Sequence, residues 1–202
     1  MATAPDSNRF MTVEEYLAFE RASETKHEFY RGEVFAMGGA STTHNRIVRN
    51  VNRRFDEQFD DRECEVLASD QRVKVLSTGL YTYPDLVVVC GKMEFEDDTF
   101  DTLLNPQVVI EVLSDSTEAY DRGKKFALFR ELDSLRSYVL ISQKEPRVEV
   151  FTRHESGDWM MRDAVGMDAT IELSAIDVSL RLQDVFKRVE FPPPDDDTPE
   201  RK

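Results

Sequence analysis

The sequence predicts a single α/β domain, and three observations carry that reading. The chain has 202 residues, 40% of them hydrophobic, enough to bury one substantial core rather than two small ones. Two nearly continuous apolar runs, Leu86–Cys90 and Val108–Val112, the second broken by Glu111, read as strands covered on both faces. Between Ile47 and Phe59 the apolar residues Ile47, Val51, Phe55 and Phe59 recur every four positions, the stripe of a helix packed on a sheet.

The elements follow in order. Residues 1–10 carry no apolar periodicity and are expected to be disordered, with the domain spanning 11–189. Thr12-Val13-Glu14-Glu15 has the capping-box spacing and opens a helix through about Glu20. Arg31-Gly32 is a turn pair inside a hairpin over Phe29–Met37. After the break Gly38–Thr42, the long helix starts near Thr43. Strands are expected at Glu65–Ala68, Arg72–Leu76, Tyr83–Cys90 and Gln107–Leu113, with an acidic loop over residues 92–105 between the last two. A helix runs from Ser116 or Thr117 to about Leu132, with Gly123 as its weak point. Ser137–Ser142, Arg147–Arg153, Asp158–Asp163 and Ala169–Leu173 read as further strands, and Leu182–Val189 as a closing helix. Residues 190–202, Pro-rich and acidic, read as a disordered tail.

Composition excludes several classes. No apolar run is long enough to cross a bilayer, and Met1–Asp6 lacks the basic and apolar regions of a secretory signal. The two cysteines are too few for a disulfide framework; Cys90, closing a Val-rich run, reads as a small core residue. A reducing cytoplasm is the expected location, with no membrane association. The net charge is −14, and −11 remains once the five acids and two bases of residues 190–202 are set aside. A tight, non-specific nucleic-acid binder needs Lys and Arg on phosphate, so any such surface here is local.

Two acids stand out. Tyr83-Pro84-Asp85 places a carboxylate at the entrance of an apolar strand, and Val109-Ile110-Glu111-Val112-Leu113 places another inside one. Each costs several kcal/mol unless a cation or good hydrogen bonds compensate it. A turn acid and a buried salt bridge, with Lys125 as a candidate partner, are the bland alternatives. Two such acids on neighbouring strands favour a shared cation, Mg²⁺ or Mn²⁺, with oxygen ligands. His44, near a helix start, suits phosphate contact or proton transfer as well as a plain capping role. Arg46, Arg49 and Arg53 share a helix face that either lines phosphate or is simply solvated; nearby acids favour the second. Gln71 precedes a strand and is a candidate lining residue.

Pro-Asp followed by Glu within a strand is the layout of PD-(D/E)XK nucleases. The match narrows with His27-Glu28-Phe29-Tyr30-Arg31-Gly32-Glu33-Val34, His44, Tyr83–Val89, Pro106–Ser114 and the Tyr-Asp-x-Gly-x-Lys element within Ser116–Lys125. Together these resemble the Uma-two family of "putative restriction endonucleases" over about Met11 to Phe186. The resemblance implies a restriction endonuclease-like mixed central sheet flanked by helices and a metal site at Asp85 and Glu111, with the Val112 carbonyl as a further ligand. It also implies metal-assisted hydrolysis of DNA phosphodiesters, a homodimer and no organic cofactor. The E-x-K position of the wider superfamily holds Leu113 here. The resemblance moves the lysine to the next helix, at Lys125 in preference to Lys124, and leaves Glu28 or Glu33 as the first acid. The competing reading is a silent nuclease-fold module that binds nucleic acid or a protein partner without cutting.

Overall fold

The computed structural model of the protein describes residues 10–193; most of the expected terminal segments, 1–9 and 194–202, lies outside them. The fold is α/β, with mixed sheets flanked by helices. Among the described residues, no helix is long and apolar enough to cross a membrane.

Helix α1 (Val13–Ala22) begins at the expected capping box: the Thr12 hydroxyl accepts from the Glu15 N–H, and the Glu15 carboxylate accepts from the Thr12 N–H. Strands β1 (His27–Tyr30) and β2 (Glu33–Ala36) form the hairpin. Arg31 and Gly32 take φ of 50° and 90°, the left-handed pair that a tight two-residue turn demands. At φ 90° any side chain on Gly32 would be strained, so the conformation calls for glycine there.

Helix α2 (Thr42–Phe59) is N-capped by Ser41, whose Oγ accepts from the His44 N–H at 3.0 Å. Its stripe of Ile47, Val51, Phe55 and Phe59 is buried, and each such side chain contributes roughly 1.5–3 kcal/mol. The stripe packs on a six-stranded sheet ordered β11-β10-β9-β8-β6-β3. Its members are β3 (Cys64–Ala68), β6 (Leu86–Cys90), β8 (Val108–Val112), β9 (Ser137–Ile141), β10 (Arg147–Arg153) and β11 (Trp159–Val165). The β8–β9 pair is parallel and the other pairs are antiparallel. Alternation along β6 assigns its faces: Leu86 and Val88 meet α2, while Val87 and Val89 face the opposite core.

That second core lies against a five-stranded sheet built from β2, β1, β5 (Leu80–Thr82), β4 (Arg72–Val75) and β7 (Thr102–Leu103). Helix α1 covers the other side of this sheet through Tyr16, Phe29 and Tyr81. A small hairpin, β12 (Thr170–Leu173) with β13 (Val178–Arg181), and helix α5 (Leu182–Val185) complete the α2 side.

The structure corrects several sequence expectations. The strand expected over Tyr83–Cys90 starts only at Leu86, and a separate strand, β5, precedes Tyr83. Pro84 has no N–H to give a ladder and disfavours helical geometry before it, so the chain leaves β5 in one sheet and enters β6 in the other. The acidic loop contains β7, anchored by the fully buried Leu103. The helix expected to reach Leu132 is three short pieces: α3 (Glu118–Tyr120), a π turn over Asp121–Lys125, and α4 (Phe126–Phe129). The chain does not leave the body at Glu190, because Phe191 meets Phe186 edge-on with ring centroids 5.3 Å apart. Cys64 and Cys90, opposed in the β3–β6 register, form a disulfide; Cys90 is not a free core thiol.

Candidate active site

The β6–β8 register pairs Leu86 with Ile110, and one step further Asp85 stands opposite Glu111. Glu111 shares its strand face with Val109 and Leu113. It therefore points toward the π turn and away from α2. Both acids line a cleft of about 1640 Å³, together with Glu28, His44, Val112, Tyr120, Asp121, Lys124 and Lys125.

Lys125 is buried, with Nζ 2.7 Å from Glu111 Oε1 and 3.6 Å from Asp121 Oδ1. Lys124 is exposed, and its Nζ sits 4.7 Å from the Tyr30 ring centroid. Leu113, at the superfamily's lysine position, is a buried core residue. Glu28 is buried and reaches the cleft, whereas Glu33 is exposed. The Thr82 hydroxyl donates to Glu28 Oε2 at 2.8 Å and the Tyr120 hydroxyl donates to Oε1.

Asp85 is held at a single oxygen. Its Oδ2 accepts the Val112 N–H at 2.7 Å and lies 3.0 Å from His44 Nε2. Its Oδ1 accepts no hydrogen bond among the described residues. An ionised carboxylate only accepts, so Nε2 carries the proton of this bond.

Charge sets the character of the cleft. Asp85, Glu111 and Asp121 act on one another, and Glu111, Asp121 and Glu28 all act on the buried Lys125 ammonium. Burial pushes the Glu111 carboxyl well above its ordinary value; Lys125 opposes this, and Asp85 and Asp121 add to it. Burial likewise raises Asp121, against the pull of Lys125 and the Thr117 hydroxyl. For Lys125, burial alone would lower the pKa, but Glu111, Asp121 and Glu28 outweigh it and hold the ammonium above its usual range.

Excess negative charge on hard oxygens suits a divalent cation. No three His, Cys, Asp or Glu side chains among the described residues form a metal-binding group of their own. Mg²⁺ does not require such a cage, since it commonly takes one or two carboxylates and keeps waters or substrate phosphates as its other ligands. Asp85 and Glu111 fit that partial set. The Val112 N–H points at Asp85, and in a strand a residue's carbonyl faces the same side as its N–H. The Val112 carbonyl is thereby directed past the end of the β6 ladder.

Two candidates fall elsewhere. Arg46 donates to the Arg188 carbonyl at 3.2 Å and tethers the C-terminal segment to α2. Gln71 donates to the carbonyls of Arg72 and Asp101, closing the start of β4. Neither lines the cleft. Sequence reasoning passed over Tyr120 and Asp121. Their available signal was position: both lie in the Tyr-Asp-x-Gly-x-Lys element, Asp121 four residues before Lys125.

Residues 13–183 match the sequence model of a family described as "Uma2: Putative restriction endonuclease". Two proteins of Synechocystis sp. are similar over most of their length. Uncharacterized protein slr1290 is 34% identical over 90% of this chain and 94% of its own. Uncharacterized protein sll1609 is 33% identical over 83% and 95% respectively. The fold is shared with a crystal structure from Anabaena variabilis described as "a putative nuclease belonging to DUF820". That match has a TM-score of 0.72 at 17% identity, and covers 87% of this chain and 97% of that one.

Proposed function

This chain belongs to the Uma2 family, and from that premise and the geometry of the cleft we propose that it is a metal-dependent endonuclease acting on DNA. The observation that carries the reading is the meeting of Asp85, Glu111 and Lys125, from three separate elements, in one acid-rich cleft. Asp85 and Glu111 would hold Mg²⁺ or Mn²⁺, with the Val112 carbonyl beside them. When bound, the cation supplies Lewis acidity for water and for the phosphoryl oxygens.

The remaining work falls to the chain's own groups. His44 and the Val112 N–H restrain Asp85 through Oδ2 and leave its other oxygen to a cation. Lys125 holds its proton firmly, so its role is a fixed positive charge for a phosphoryl oxygen and not a base. Glu28, fixed by Thr82 and Tyr120, is the first acid of the set. Lys124, exposed at the rim, is placed to meet a neighbouring phosphate. Two copies of the chain acting as a homodimer would cut both strands of a duplex; a solution mass equal to one chain would remove that part of the proposal.

The test is Mn²⁺ titration by calorimetry into wild-type, Asp85→Ala and Glu111→Ala proteins, followed by cleavage assays on varied DNA. Binding lost in both variants, with folding intact, supports the shared site. Wild-type protein that binds Mn²⁺ neither alone nor with DNA would leave the silent binding module as the better reading.

A further inference from the structure

Asp85 is held by more than its two immediate partners. Beyond His44 lies a chain of hydrogen bonds that returns to the strand bearing Glu111. Ser41 Oγ accepts from the His44 N–H at 3.0 Å and donates to Gln143 Oε1 at 2.8 Å. Gln143 Nε2 then donates to the Leu113 carbonyl at 2.7 Å. Leu113 adjoins Val112, whose N–H meets Asp85 Oδ2, and that same oxygen meets His44 Nε2. The circuit therefore closes: end of β8, Gln143 after β9, the N-cap of α2, the His44 ring, Asp85, and β8 again.

We propose that Gln143, acting through Ser41, is a positioning residue that fixes the first turn of α2 on β8, so that His44 presents Nε2–H to Asp85. Three features support this. Gln143 donates to the Leu113 carbonyl at the end of β8 and accepts from Ser41 at the start of α2, so it sets the distance between them. Ser41 uses its hydroxyl in both directions, which an N-cap alone does not need. His44 Nδ1 is buried and meets no partner, so the ring takes its orientation from Nε2 and from the helix turn that carries it. The arrangement matches the general way ligands of metal sites are oriented by their outer partners.

The consequence for cation binding rests on the reading of Asp85 as a ligand; the consequence for His44 does not. The experiment therefore has two readouts. On the full-length metal-free protein, ¹⁵N imidazole spectra report which ring nitrogen of His44 carries the proton. Calorimetry with Mn²⁺ alone reports the site. Gln143→Met keeps the side chain's length and loses both bonds. Ser41→Gly removes the hydroxyl at little cost to the cap, and Ser41→Thr retains it. We expect His44 to be Nε2-protonated in wild type and in Ser41→Thr. In Gln143→Met and Ser41→Gly that preference should be lost, with Mn²⁺ affinity about ten-fold weaker or more. Unchanged His44 spectra in both Gln143→Met and Ser41→Gly would overturn the proposal. If wild-type protein binds no Mn²⁺, the metal reading falls, and the His44 spectra still decide the positioning role.

Discussion

Replacing Lys125 with Met removes the buried cation beside Glu111 and Asp121 while keeping much of the side-chain volume. The Lys125 Nζ lies 2.7 Å from Glu111 Oε1 and 3.6 Å from Asp121 Oδ1, and its charge opposes the rise that burial imposes on both carboxyls. Breaking a buried pair from one side usually costs about 3–5 kcal/mol net. For a domain of this size that is a fall in Tm of about 6–20 °C. The same change should strengthen cation binding, because the ammonium no longer competes for Glu111 and Asp121. A ten-fold gain in affinity adds about 1.4 kcal/mol at saturating cation, so Mn²⁺ should raise the Tm of Lys125→Met more than that of wild type. Thermal melts of both proteins, with and without Mn²⁺, measure each quantity. A variant melting within 2 °C of wild type, or gaining less from Mn²⁺, would refute the view of Lys125 as an internal counter-ion.

Other outcomes follow from the same structure. The raised Glu111 carboxyl keeps its proton in the folded chain where the unfolded chain has lost it. Stability of the metal-free protein should therefore decline as pH rises above the ordinary Glu range toward the raised folded value; Tm measured against pH should be flatter in Glu111→Gln, and an identical slope would count against the raised value. Since the cation must displace that proton, Mn²⁺ affinity should weaken on acidification, which calorimetry at two pH values would show. Tyr120→Phe deprives the buried Glu28 of a donor and should cost about 1–3 kcal/mol by denaturant unfolding. Phe55→Ala, at a fully buried position of α2, should cost about 3–5 kcal/mol and leave Mn²⁺ affinity unchanged.

Much of this was legible in the sequence because local rules and tertiary packing agree. The Thr12–Glu15 capping box and the Ile47–Phe59 stripe sit where pattern predicts. Asp85 and Glu111 were visible because an acid in an apolar strand is anomalous wherever the strand lies. Lys125 came from a motif, not from spacing. What stayed hidden depends on which elements become neighbours. Nothing local pairs Gln143 with Ser41, 102 residues away, or Cys64 with Cys90 across a ladder. Strand β5, three residues long, was not expected at all, because so short a run shows no alternation of its own. Thr102–Leu103 is too short for alternation to register against its acidic surroundings.

The π turn at Asp121–Lys125 changes how spacing should be read along this lineage of chains. At 100° per residue, Tyr120 and Lys125 would diverge by about 140° around an ordinary helix, and one of them would miss the cleft. A turn of i→i+5 bonds is wider by a residue, and here both side chains reach the acids, with the buried Tyr138 hydroxyl donating to the Asp121 carbonyl at 3.0 Å. Such a turn behaves as an absorbed insertion: a relative with one residue fewer between its tyrosine and lysine could deliver the same pair from a regular helix. Alignments that force these two residues into fixed columns would then misreport an intact site as a lost one.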